Sequence, residues 1–313
     1  MPDSSETSLQ IESFMQKLLG PRCLTYEICP DKSPSVSPII ERVKTASLQD
    51  KIDAFVCTDS PLAKLKTHAG LASIRLQEGL GKPVICTISM RDKNSLALGA
   101  EFLGLNDFDI RIFLALSGDP LKLGDQPQAK PVFEGGSTKI LELIASLNEG
   151  IDPGGVSLKA PVNRIYGLSV INSYAKNMDL LKKKMESKIK AGALALFTQP
   201  IYELEVSKIL HEWLDELNAR HGTNCALMQG FFPITSYKRA CFLYEKLPGV
   251  FIPKSWLDTL SAASLRGADY ERDRGRDLSY ELFRQLYDYR PKIHIMNHNA
   301  IKGARALLDC VCG

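Results

Sequence analysis

The sequence holds no apolar run long enough to cross a bilayer as a helix, so no membrane-spanning helix is expected. It has no CxxC pair, and its five histidines form no cluster at zinc-ligand spacing. No GxGxxG follows the first apolar strand, no P-loop occurs and no Ser-His-Asp order stands out. Dinucleotide-fold, phosphate-cradling and triad chemistry therefore lack their signatures. An excess of one charge is also missing: 39 Lys and Arg against 36 Asp and Glu leave a net +3, too close to balance to argue for nucleic acid or a membrane surface as partner. The opening "MPDSSETSLQIESFMQKLLG" is polar and acidic, unlike a signal peptide. Leu9, Ile11, Phe14, Met15, Leu18 and Leu19 within it trace an amphipathic helix over residues 1–20.

Eight cysteines are present. Cys57, Cys86 and Cys225 lie in apolar runs, where cysteine behaves as a small hydrophobe, so reduced thiols in a cytoplasmic protein are expected. Cys310-Val311-Cys312 leaves a metal or redox pair open as a lesser alternative; elsewhere no metal site is expected.

The chain is rich in short apolar runs separated by helical patterns. Strands are expected at 23–29, 53–59, 83–89, 111–117, 166–172, 193–199, 226–232 and 292–298; they are continuous rather than alternating, as strands buried on both faces are. Between them, 204–219 carries Val206, Ile209, Leu210, Trp213, Leu214 and Leu217 on one helical face. Over 137–148 the face is Ile140, Leu141, Ile144 and Leu147, with Ser137 as expected N-cap. Over 174–191 it is Met178, Leu181, Met185 and Ile189, the lysines projecting outward. Residues 279–289 and 300–311 supply the last two helices. Strand followed by helix eight times predicts an α/β fold, a (β/α)8 TIM barrel forming one domain over 1–313, with the N-terminal helix and insertions at 149–164 and 253–277, before strands five and eight.

In such a barrel the active site lies at the C-terminal ends of the strands. Here those ends carry Glu27, Thr58 with Asp59, Asp92, Asp119, Asn172, Gln199, and Asn297 with His298. Glu27 in "TYEIC" is a carboxylate inside an apolar strand. It is either half of a structural ion pair or a general acid whose pKa burial raises toward neutrality. Gln199 offers an amide suited to the hydrogen-bonding edge of a heterocycle, and Asp119 in "ALSGDP" is either a turn residue or a contact to the same ring.

These residues stand in a pattern that resembles the methylenetetrahydrofolate reductase family from about residue 23 to 311. "YEICP" resembles its first-strand motif, "DAFVCTDSP" its second strand, "TISMRDKN" its Arg-Asp-x-Asn turn and "LALSGDP" its Leu-Arg-Gly-Asp-Pro signature. "VFEGGSTKILELIASLN", "KIKAGALALFTQPIYE", "GFFPITSYKRACF" and "IPKSWLDTL" follow in the family's order. The resemblance implies reduction of 5,10-methylenetetrahydrofolate to 5-methyltetrahydrofolate, with FAD as cofactor and NADH or NADPH as donor. Glu27 matches the proton donor to the folate, Asp119 the carboxylate facing the pterin and Gln199 the pterin-binding amide. Thr58, Thr87, Ser117, Gly118, Asn172 and Lys188 stand at flavin-side positions, Lys188 being equally readable as a solvated lysine on a basic helix face. Several positions depart from the family. Ser117 replaces its Arg, Thr87 its His or Gln, Leu168 and Asn172 its Tyr and His. Leu243, beside Phe242, stands for the stacking aromatic, and Ala300 replaces the Arg near the folate's glutamate tail, for which Arg239 is the substitute clamp. These departures leave two variants open: direct hydride transfer from a nicotinamide without flavin, and a non-catalytic or partner-dependent folate-binding subunit. A homo-oligomer or a partner subunit is compatible with either.

Overall fold

The computed structural model describes residues 4–246 and 249–312. Eight parallel strands, β1 (Cys23–Ile28), β2 (Ala54–Cys57), β3 (Val84–Ser89), β4 (Ile112–Leu116), β5 (Tyr166–Ile171), β6 (Ala195–Pro200), β7 (Ala226–Phe231) and β8 (Lys292–Ile295), close into a barrel in sequence order. Each falls on one of the apolar runs, and the closing pair β1–β8 sets Thr25 against His294 and Tyr26 against Ile295. Thr58, placed on the second strand by sequence, lies just past β2; His298 lies past β8 in a left-handed turn with Asn299 (φ 52° and 59°).

Strand parity divides the core in two. Outward residues such as Tyr26, Phe55, Cys57, Cys86, Phe113, Leu196 and Phe231 pack under the helices. Inward residues (Ala54, Val56, Ile85, Ile112, Leu114, Leu168, Phe197 and Met228) fill the barrel. The second group is continuous with Ile11, Phe14, Met15 and Leu18 of α1 (Ser4–Leu19), so the N-terminal helix lays its apolar face across the bottom of the barrel. Arg111 donates to Ser8 (2.8 Å), and Lys17 reaches Asp53 (2.9 Å), whose other oxygen takes the Leu24 amide (2.8 Å). Residues 1–3 of the expected helix lie outside the described residues. With the bottom closed, the accessible end is the C-terminal one.

The outer layer holds α2 (Ser37–Thr45), α3 (Ala69–Leu80), α4 (Ser95–Asp107), α5 (Ser137–Asn148), α6 (Met178–Lys190), α7 (Leu204–His221), α8 (Tyr237–Lys246), α9 (Lys254–Ser264), α10 (Ala268–Tyr289) and α11 (Ile301–Cys312). Two local expectations are corrected. Ser137 is not the cap of α5: Gly136 occupies that position, and the Ser137 hydroxyl accepts instead from Lys188. α6 starts at Met178, where the Asn177 side chain takes the Leu180 amide (3.0 Å) and caps it. The 253–277 insertion is helical, supplying α9 and the first half of α10, whereas 149–164 is loop with one isolated bridge, Ile151 to Ser157. Among the described residues no helix is long and apolar enough to cross a membrane, and no group of three His, Cys, Asp or Glu is placed to hold a metal. Cys310 and Cys312 are free thiols.

Candidate functional site

The inward positions near the upper ends of the strands break the apolar filling. Thr25 and Glu27 on β1, Thr58 after β2, Thr87 on β3 and His294 on β8 share the parity of the barrel-filling residues. Glu27 keeps only 22% of its side chain exposed, and burial alone pushes its carboxyl up to about 7. No lysine or arginine pairs with it among the described residues. Its ionisable neighbour is the His294 imidazole, Nε2 at 4.0 Å from Oε2. The structural ion pair left open by the sequence is therefore replaced by a buried acid beside a neutral ring, since burial holds His294 down at about 3.

Thr58 and Cys29 extend the site along the β1–β2 seam. The Thr58 amide donates to Ile28 O (3.0 Å), while its hydroxyl is buried with no oxygen or nitrogen partner. Burial raises the Cys29 thiol, with the Thr58 hydroxyl and Lys66 opposing that shift. Gln199 occupies a bulge: the pairing slips between Phe197 and Pro200, and Thr198 Oγ1 takes the Gly230 amide (2.8 Å) while donating to Gln199 O (2.7 Å). Bulges of this kind re-aim a side chain at the rim of a barrel.

"ALSGDP" is built for two purposes at once. Gly118 has φ +83°, and a methyl there would stand 2.7 Å from Arg91 Cβ, so the glycine is required by chain packing. Asp119 Oδ2 accepts from the Leu62 amide (2.6 Å), tying the β4 loop to a loop where Ser60, Leu62 and Ala63 all have positive φ. Arg91 holds the same loop through Ser60 O (3.1 Å) and is itself clamped by Asp92 (2.6 Å).

The flavin-side positions do not assemble a cradle. Ser117 is exposed and supplies no charge. The Asn172 amide packs under Gly249, where an added Cβ would come within 2.2 Å of its Cγ. Gly249 O in turn accepts from the Ser173 and Tyr174 amides (both 3.1 Å). Lys188 reaches the outer face of β5, donating to Ser137 Oγ (2.9 Å), Ser169 Oγ (3.1 Å) and Val170 O (2.6 Å). Burial brings it down to about 8, so it is not a solvated surface lysine. Leu168 and Thr87 are buried in the barrel wall. Of the six positions, Lys188 is engaged by three acceptors of the protein itself and Ser117 brings no charge, so no free cation remains among them and they do not fit a tightly held FAD.

At the β7–β8 side, Arg239 is exposed and lies over the Phe232 ring (5.7 Å), against which His298 sets its edge (5.1 Å). Leu243 faces the core and Phe242 faces solvent. Asn297 is structural: its Oδ1 takes the Tyr26 hydroxyl (2.5 Å) and the Ala300 amide (3.1 Å). The sequence reading passed over His294, which sat inside an apolar run. The signal was its alternation with Lys292, two polar residues of one parity in a buried strand.

The methylenetetrahydrofolate reductase family model matches residues 20–311. Among solved structures, an uncharacterised protein from Clostridium thermocellum that binds two copies of 5-methyl-5,6,7,8-tetrahydrofolic acid is 17% identical, with 96% of this chain and 97% of that chain covered and a TM-score of 0.61. A putative deoxyribose-phosphate aldolase from Toxoplasma gondii (10% identity, 97% and 97% covered, TM-score 0.47) is also similar. So is dihydropteroate synthase from Thermus thermophilus (12%, 93% and 94%, 0.45). At 17% identity the likeness to the Clostridium thermocellum protein is one of fold. No curated protein matches the sequence.

Proposed function

The chain belongs to the methylenetetrahydrofolate reductase family, and from that premise we propose that it reduces 5,10-methylenetetrahydrofolate to 5-methyltetrahydrofolate at the barrel mouth. The observation that carries this reading is Glu27, an acid held near neutral pKa with no cation to neutralise it. Its proton goes to N10 as the N10–CH2 bond breaks, leaving an N5 iminium. A hydride from NADH or NADPH then forms the methyl group, NAD(P)+ departs, and Glu27 regains its proton from solvent. Gln199 reads the pterin edge, and Arg239 holds the carboxylate tail. The likeness to a Clostridium thermocellum protein that binds 5-methyltetrahydrofolate supports a pterin-accepting mouth.

Because Lys188 is held by the protein's own acceptors and Ser117 brings no charge, direct transfer from the nicotinamide is the favoured route over a flavin relay. The purified protein is expected to be colourless and to oxidise NADH or NADPH with methylenetetrahydrofolate in the absence of added FAD. An absorption spectrum and a nicotinamide assay decide this. A yellow protein whose turnover depends on FAD would contradict direct transfer. A colourless protein with no turnover under either condition would favour the folate-binding subunit.

Asp119 places a negative charge on the loop over the mouth, where the iminium develops positive character. Asp119→Asn keeps an oxygen for the Leu62 amide and so keeps the loop tie. Turnover is expected to fall at least about tenfold, roughly 1.4 kcal/mol of transition-state stabilisation, with the melting temperature nearly unchanged. Unaltered kinetics would reduce the carboxylate to its structural part.

A further inference from the structure

The barrel interior is filled by Val56, Ile85, Leu114, Leu168, Phe197 and Met228, yet β8 sends an imidazole into it. His294 is 4% exposed and is fixed on three sides. Nδ1 lies 3.0 Å from Thr25 Oγ1, its partner across the β1–β8 closure. The ring meets the edge of Phe197, centroids 5.2 Å apart and planes at 68°. Nε2 stands 4.0 Å from Glu27 Oε2, and that carboxyl is the polar group it faces. An apolar side chain would fill this space without removing two ring nitrogens from water, so packing alone gives no reason for histidine here.

We propose that His294, held by Thr25, is a positioning residue that sets the orientation of the Glu27 carboxyl for proton donation. The proposal rests on the reductase reading for its kinetic consequences only. The neutral ring has one N–H and one lone pair, and the Thr25 hydroxyl both donates and accepts, so either tautomer is satisfied at Nδ1. At Nε2 the pair therefore offers Glu27 a lone pair when the carboxyl is protonated or an N–H once it is ionised. The 4.0 Å gap is longer than a hydrogen bond, and catalytic contacts of this kind tighten when ligand closes on them. The role is one of positioning, because the imidazole lies deeper in the barrel than the acid and acts on substrate through it.

The test uses His294→Phe, His294→Gln and Thr25→Val in the full chain. With methylenetetrahydrofolate and NADH or NADPH, His294→Phe is expected to lower kcat at least about tenfold while the Kd for 5-methyltetrahydrofolate stays within about twofold. His294→Gln, whose amide nitrogen reaches the Nε2 position, recovers most of the loss, and Thr25→Val falls between. In a Glu27→Gln background His294→Phe adds nothing, because the group it positions is already gone. Unchanged kcat in His294→Phe, an equal fall in affinity, or a loss that multiplies with that of Glu27→Gln would overturn the proposal. A second readout needs no turnover: the isotope-edited infrared band of the protonated Glu27 carboxyl moves in His294→Phe and stays in His294→Gln. An unmoved band overturns the pairing whatever the enzyme does. A moved band in a protein without reductase turnover keeps the pairing and removes the reductase reading instead.

Discussion

Glu27→Gln is expected to lower turnover by roughly 10²-fold or more, the scale of a missing general acid, while making the protein more stable at neutral and alkaline pH. Both effects come from one cause. Burial raises the carboxyl from 4.5 to about 7, so the folded protein holds a proton that the unfolded chain has released. Across that window stability falls as pH rises, and above pH 7 the buried group costs on the order of 3 kcal/mol relative to a neutral one. The amide of glutamine ionises at neither end, so the variant escapes this penalty. Thermal melts at pH 5 and pH 8 should therefore diverge for the unmodified protein more than for the variant. The same titration appears in kcat/KM, which should decline above about pH 7 as the acid ionises in the free enzyme. Glu27→Gln with full turnover would sink the mechanism; equal pH sensitivity of the two melts would sink the assignment of the raised group.

Gly230→Ala is the second large effect, and it acts through backbone. A Cβ at Gly230 would stand 2.2 Å from Thr198 O and 2.9 Å from both C and O of Gln199, all main-chain atoms of the β6 bulge. Neither strand has a side chain that swings aside, so the bulge must open or the β6–β7 pairing must slip. The expected cost is about 3 kcal/mol or more, at the upper end of overpacking in a closed core. Affinity for 5-methyltetrahydrofolate should fall with it, since the bulge carries Gln199. Gly303→Ala on α11, where an added methyl meets nothing within 4 Å, serves as the comparison and should be neutral or stabilising by about 0.5–1 kcal/mol. A Gly230→Ala protein that melts with the unmodified one and binds equally well would show that the bulge does not constrain the site.

Eight strands, their order and the identity of Glu27 as an anomalous acid were legible in the sequence, because each depends on a short window. Continuous apolar runs of strand length mark strands covered on both faces, and a carboxylate within one is conspicuous against its neighbours. Ser137 shows where such windows mislead: its residue type suits a cap, but the ammonium arriving from α6 claims the hydroxyl, and no local pattern reports that arrival. Lys188 fails in the same manner from the other side, since the spacing that puts it among lysines does not reveal that three acceptors on β5 and α5 surround its tip.

The sequence by itself thus determined the alternation of strands and helices, the family and the end of the barrel at which polar residues collect. Only the tertiary structure decided what each of them faces. Glu27 and His294 meet because β1 and β8 close the barrel in the register that sets Thr25 against His294. Asn172 is covered because Gly249 docks on the end of β5. The physical reason is that periodicity is written along the chain, whereas the closing register of a barrel is a collective result of eight strand pairings. A shift of one residue at that last pairing would turn the imidazole away from the acid without altering a single local pattern.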